Sequence, residues 1–178
     1  MRLTDPQSEP YPITFQTTHT FISAPGDSLL TIASRFLADL QAGGHTVYVT
    51  DPYLFPRFSD PSQEPQYETD VKAVLEGIGA SKIVFCAPEK KNATLYSNVE
   101  SYLDSKGIAL VFDQRLTDCH DRFWYCPETE KCISFGTSLN GIGKKICRID
   151  MLAQDEVAAI KQRLQAVGVM QADDPEEQ

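Results

Sequence analysis

The chain predicts an α/β fold: three layers, α/β/α, with a mixed, mostly parallel sheet covered by helices on both faces and a hairpin carrying the chemistry-bearing residues. Three observations predict it. Helical and strand patterns alternate three times between Leu29 and Phe112. The strand segments 82–86, after the leading Lys82, and 108–112 are unbroken apolar runs, as strands buried on both faces are. The last third changes style, with short strands at 122–125 and 132–135 flanking Pro127-Glu128-Thr129-Glu130-Lys131, the pattern of an antiparallel hairpin.

The elements follow in order. Residues 1–12 are polar and proline-punctuated, a loosely held lead-in, and 13–15 and 20–22 have the composition of short strands. Asp27 or Ser28 can cap a first helix, in which Leu29, Ile32, Ala33, Phe36, Leu37 and Leu40 recur at helical spacing until Gly43-Gly44 stops it. A strand at 45–50 ends in Asp51-Pro52-Tyr53, and the proline-rich stretch 56–65 reads as a surface loop. Val71, Val74, Leu75 and Ile78 mark a second helix over 68–78, before the strand 82–86. A third helix spans 93–105 and Gly107 ends it. Beyond the hairpin come a strand at 146–151 and a closing helix over 154–167, with Val157, Ile160, Leu164 and Val167 inward.

Composition bounds the function. The 178 residues, 42% of them hydrophobic, suffice for one well-buried domain, placed here at 13–169, with 170–178 as an acidic flexible tail. The start of the chain lacks the apolar run of a signal peptide, so its five cysteines are expected as free thiols in a reducing, cytoplasmic compartment. No apolar stretch approaches the roughly 18 residues of a membrane span. A formal charge of −9 argues against a surface that grips nucleic acid everywhere, because neutralising phosphates supplies the sequence-independent part of such affinity. A local basic patch remains open: from Lys131 to Arg148 the chain carries Lys131, Lys144, Lys145 and Arg148 and no acidic residue.

The motif follows from these placements. Residues two apart on a strand share a face, so His120 and Arg122 are expected to project together. An imidazole can attack phosphorus or carry a proton, and a guanidinium can hold two phosphoryl oxygens in fixed geometry. After the hairpin, Thr137, Ser138 and Asn140 offer neutral donors, and Gly136 permits close backbone approach to a ligand. Lys144 and Lys145 are candidates for the flanks of a phosphodiester or an anionic headgroup, with a solvated turn as the plain alternative. Gly141-Ile142-Gly143-Lys144-Lys145 is not a nucleotide phosphate loop, which needs glycine where Ser138 stands and a hydroxyl where Lys145 stands. Cys119, His120, Cys126 and Cys132 have the right types for zinc but the spacing of no common zinc module, and a cross-strand contact between Cys126 and Cys132 explains their proximity as well. No metal or cofactor is expected. Trp124 shares the parity of Arg122 and is read as core.

His120-Asp121-Arg122-Phe123, with Gly136-Thr137-Ser138-Leu139-Asn140, resembles one half of the phospholipase D superfamily, whose signature runs His-x-Lys, Asp, Gly-Ser and a nearby Asn on a strand pair of a three-layer half. The resemblance spans about 29–167, includes Asp51-Pro52-Tyr53 as a first strand end, and is narrowest to a bacterial variant and to the phospholipase D-like domain of a eukaryotic membrane-abscission protein. It implies that His120 takes the place of the nucleophile, Arg122 that of the phosphate-holding lysine, and Thr137 or Ser138 with Asn140 the remaining polar positions. It departs from the signature at Arg122, at Pro127 where the aspartate falls, and in an Arg122–Gly136 spacing two residues longer. A single motif implies a homodimer, with His120 of each subunit serving as nucleophile and acid in turn.

Two classes of function stay open on these residues. One is a homodimeric, metal-independent phosphodiesterase or nuclease acting through a phosphohistidine. The other is an inactive phospholipase D-like module that binds nucleic acid, anionic lipid or a protein partner. The bacterial resemblance also suggests a place in phage defence or a mobile element.

Overall fold

The computed structural model describes residues 20–171, and its seven strands form one sheet in the order β1-β7-β6-β5-β2-β3-β4. The expected strand at 13–15, the lead-in 1–12, His19 and positions 172–178 of the expected tail lie outside the described residues. The strands are β1 (Thr20–Ser23), β2 (Thr46–Thr50), β3 (Lys82–Cys86), β4 (Ala109–Asp113), β5 (Arg122–Cys126), β6 (Lys131–Phe135) and β7 (Cys147–Met151). The helices are α1 (Leu29–Leu37), α2 (Glu64–Gly77), α3 (Ala93–Asp104) and α4 (Gln154–Ala166).

The fold is α/β and the sheet is mixed, but the expected parallel majority is reversed. Among the described residues only β2–β3 and β3–β4 pair in parallel, whereas β2–β5, β5–β6, β6–β7 and β7–β1 are antiparallel. Helical crossovers enforce parallel pairing only while they last. After β4 the chain enters β5 against the free side of β2 and then proceeds by a hairpin and a short return.

Alternation along each strand divides the core into two layers. Val47, Val49, Ile83, Phe85, Trp124, Cys126 and Ile133 pack under α1, α2 and α3. Val84, Cys86, Tyr125 and Cys132 pack on the opposite face with Val157 and Leu164 of α4. Period-two side-chain direction is what lets one strand serve both layers. Cys126 and Cys132 therefore face opposite layers, and the expected contact between them does not form. Trp124 is fully buried, as a core tryptophan. Met170 is buried beside Val169, so packing on the α4 side continues to that point.

Local signals explain the helix ends. Ser28 caps α1 by accepting from the Thr31 amide, and Asn92 caps α3 by accepting from the Leu95 amide. The segment 56–65 is not all loop: a short 3-10 turn at Pro61–Gln63 leads into α2, which starts at Glu64. Pro61 and Pro65 sit in first turns, where the missing N–H has no helical partner to lose. Among the described residues, no helix is long and apolar enough to cross a membrane.

Candidate anion-binding site

The carboxyl ends of β2, β3 and β4 lie along one rim of the sheet, and antiparallel β5 begins there with Arg122. In open α/β sheets this rim is where ligands bind, because loops diverge there and leave a crevice. Asp51 follows β2 directly, is 1% exposed, and lies 3.8 Å from Arg122 Nε. Burial pushes the Asp51 carboxyl up to about 6, while the Tyr53 amide, Arg122, the Leu139 amide and Ser138 oppose that rise. At 3.8 Å the pair attracts by charge without a hydrogen bond, and among the described residues Arg122 Nε and Asp51 Oδ2 have no hydrogen-bond partner. Asp51 thus holds the guanidinium in place without consuming its donors.

The turn after β2 is pinned on both sides. Asp51 Oδ1 accepts from the Tyr53 amide at 2.9 Å, the Asp51 carbonyl accepts from the Leu54 amide at 3.0 Å, and the Tyr53 carbonyl accepts from Ser138 Oγ at 3.0 Å. Leu54 and Phe55 are buried behind it, with Phe55 edge-on to Phe85 and Tyr96. Tyr53 alone of the three is exposed, at 45%. Its ring lies 4.1 Å from Lys91 Nζ and 5.8 Å from Arg122 Cζ.

These residues open onto a cavity of about 560 Å³ shared by Tyr53, Lys91, Arg122, His120, Cys119 and Glu89. That volume falls in the range of small-molecule sites. His120 and Arg122 therefore line one cavity, though not by the expected strand geometry. β5 starts at Arg122, whose ladder partner is Phe135 at the end of β6, one residue beyond the last pair with β2, Thr50–Phe123. The Thr50 hydroxyl donates to the Asp121 carbonyl and accepts from the Phe123 amide. His120 sits in the preceding loop, exposed, and among the described residues has no hydrogen-bond partner. It also borders a second cavity of about 270 Å³ on the α4 side, with Thr50, Leu116, Phe123, Ile160 and Leu164.

The other candidate residues divide. Ser138 and Asn140 join the Asp51–Tyr53 group: Ser138 is buried, and its hydroxyl lies 3.2 Å from Asn140 Oδ1. Gly136 approaches backbone rather than open space: a Cβ there would stand 3.0 Å from the Arg148 carbonyl oxygen. Thr137 packs against Gly141, where a Cβ would fall 2.1 Å from Thr137 Oγ1. Lys144 reaches Gln63 and the Phe58 ring, and Lys145 is exposed. Asp51, Tyr53 and Lys91 were missed as site residues. Asp51 alone left a signal, an acid placed directly after an apolar strand and before proline. Pro127 lies in the β5–β6 turn, at the end of β5 remote from Arg122, so its position leaves the rim unchanged.

The fold and site define a three-layer α/β/α domain with a cation-bearing cavity at the carboxyl rim of its parallel strands. Neither a protein-family model nor a curated protein sequence matches the chain. Among solved structures it is similar to a polyphosphate kinase from Porphyromonas gingivalis, with TM-score 0.49 and 12% identity over 90% of this chain and 27% of that one. It is also similar to TrmBL2, an archaeal chromatin protein whose structure shows a novel mode of DNA binding, with TM-score 0.43 and 10% identity over 83% and 50% of the two chains. The chain thus spans half or less of the length of these neighbours, and likenesses this distant carry no argument about activity.

Proposed function

We propose that this chain is a phosphodiester-binding domain of the phospholipase D-like type, with Arg122 as the group that holds the phosphate. The observation that carries this reading is the placement of Arg122: charge-held by buried Asp51, beside Lys91 and His120, at the mouth of one cavity. A guanidinium anchored without spending its donors suits bidentate recognition of phosphoryl oxygens. Binding without turnover is the form the geometry favours. A nucleophilic imidazole needs its tautomer fixed by a second group, and His120 has none among the described residues.

A second reading rests on the exposure of His120. A homodimer that brought two such rims together would place a second imidazole opposite the first, one to attack phosphorus and one to protonate the leaving oxygen. The test joins three measurements. An abasic oligonucleotide, a bare phosphodiester backbone, is expected to bind the wild type and to lose at least about 10-fold in affinity with Arg122→Ala, with partial recovery in Arg122→Lys. Unchanged affinity in Arg122→Ala would remove the assignment. Hydrolysis of bis(4-nitrophenyl) phosphate in the presence of EDTA, lost in His120→Ala and accompanied by a dimeric mass in solution, would establish the second reading over the first.

A further inference from the structure

We infer that the cavity takes a nucleotide unit of a single-stranded nucleic acid, its base stacked on Tyr53 and its phosphate held by Arg122 and Lys91. This deepens the phosphodiester reading and rests on it for the role of Arg122. Three observations carry it to a base-bearing ligand. First, Tyr53 is an exposed aromatic on a rigid support: Pro52 precedes it, Asp51 and Ser138 hold its amide and carbonyl, and Leu54 and Phe55 anchor the chain behind it. A ring presented on so fixed a backbone loses little conformational freedom when a ligand stacks on it. Second, among the described residues Tyr53 makes no aromatic pair and its hydroxyl has no hydrogen-bond partner. Two cations lie against its ring, Lys91 at 4.1 Å and Arg122 at 5.8 Å. Third, the ring and both cations line the same cavity of about 560 Å³, room enough for a base and its phosphate together.

An aromatic platform with cations beside it is the arrangement by which proteins bind single strands without reading sequence, because every base has a π-face and every linkage a charge. A lipid headgroup would use the cations but leave the exposed ring without a role. Glu89 at the rim repels a second phosphate, which suits one held unit rather than a continuous basic track.

The experiment compares a labelled dT12 with an abasic strand of the same length by fluorescence anisotropy, using the full chain. The wild type is expected to bind dT12 about 10-fold more tightly than the abasic strand. Tyr53→Ala should abolish that preference, bringing the two strands to equal affinity, and Tyr53→Trp should preserve it. Equal affinity for the two strands in the wild type, or a preference that survives Tyr53→Ala, would overturn the stacking assignment and leave the phosphodiester reading intact. Tight binding to phosphatidylserine vesicles that dT12 does not displace would overturn it in favour of a lipid. If Arg122→Ala changes the affinity of neither strand, the phosphodiester reading itself falls.

Discussion

Asp51 carries its charge where burial penalises it, and that penalty is visible as a pH dependence. Its carboxyl is raised from 3.8 to about 6 on folding, so the folded state holds the proton more tightly than the unfolded state does between those values. The contribution of Asp51 to stability is therefore greatest when it is protonated, falls as pH rises from about 4 to about 6, and is flat above. The size of the loss is at most about 3 kcal/mol. Asn at this position keeps an acceptor for the Tyr53 amide and cannot ionise. Urea denaturation from pH 4.5 to 8 should show Asp51→Asn gaining on the wild type up to about pH 6, with a constant difference beyond. Parallel curves over the whole range would contradict the buried charge. The same variant should bind the abasic strand more weakly, because Arg122 loses the carboxylate that positions it.

At the scale of elements, the rim depends on two close fits that bring segments distant in sequence together. Gly143 has φ +73°, and a Cβ there would stand 2.0 Å from the Asp27 carbonyl oxygen, a contact further tied by the Gly26 amide donating to the Gly143 carbonyl at 2.9 Å. Gly143→Ala meets both a backbone clash and a left-handed conformation, and should lower unfolding stability by about 2–4 kcal/mol in urea denaturation. A loss under about 0.5 kcal/mol would mean that the turn readily shifts away from the loop before α1. Asn92 joins three segments: Oδ1 caps α3, and Nδ2 donates to the Pro56 carbonyl and to Glu64. Asn92→Ala should cost about 1–2 kcal/mol, and Asn92→Asp should retain the cap while losing the two donated bonds. Helix and strand positions were legible because apolar spacing is a local property. The start of α2 was not, since the prolines that suggested a loop are tolerated in a helix's first turn.

For the whole molecule, the balance of charge sets how any nucleic acid can bind. A net charge of −9 leaves little general attraction for phosphates, so affinity has to come from the rim alone. With a single phosphate held jointly by Arg122 and Lys91, the affinity for dT12 should fall with salt at a log–log slope of about −0.7. A slope several times steeper, measured between 50 and 200 mM salt as in such titrations generally, would point to a wider basic surface than this cavity. Sedimentation at equilibrium decides the quaternary question, and a dimer whose formation places His120 out of reach of the cavity would remove the hydrolytic reading.

Periodicity determined the layers of this protein, since a strand buried on both faces or a helix with one apolar stripe leaves its mark within a few residues. The same local signals located the hairpin and brought His120, Arg122, Ser138 and Asn140 into consideration. Parallel or antiparallel pairing was decided only by the tertiary structure, because β5 has a choice of neighbours that nothing in its own five residues restricts. Asp51, Tyr53 and Lys91 entered the site for the same reason. Tyr53 and Lys91 are ordinary residues in their own segments, Asp51 is marked only by its place between an apolar strand and proline, and the site exists because the end of β2, the loop before α3 and the start of β5 meet at one rim of the sheet.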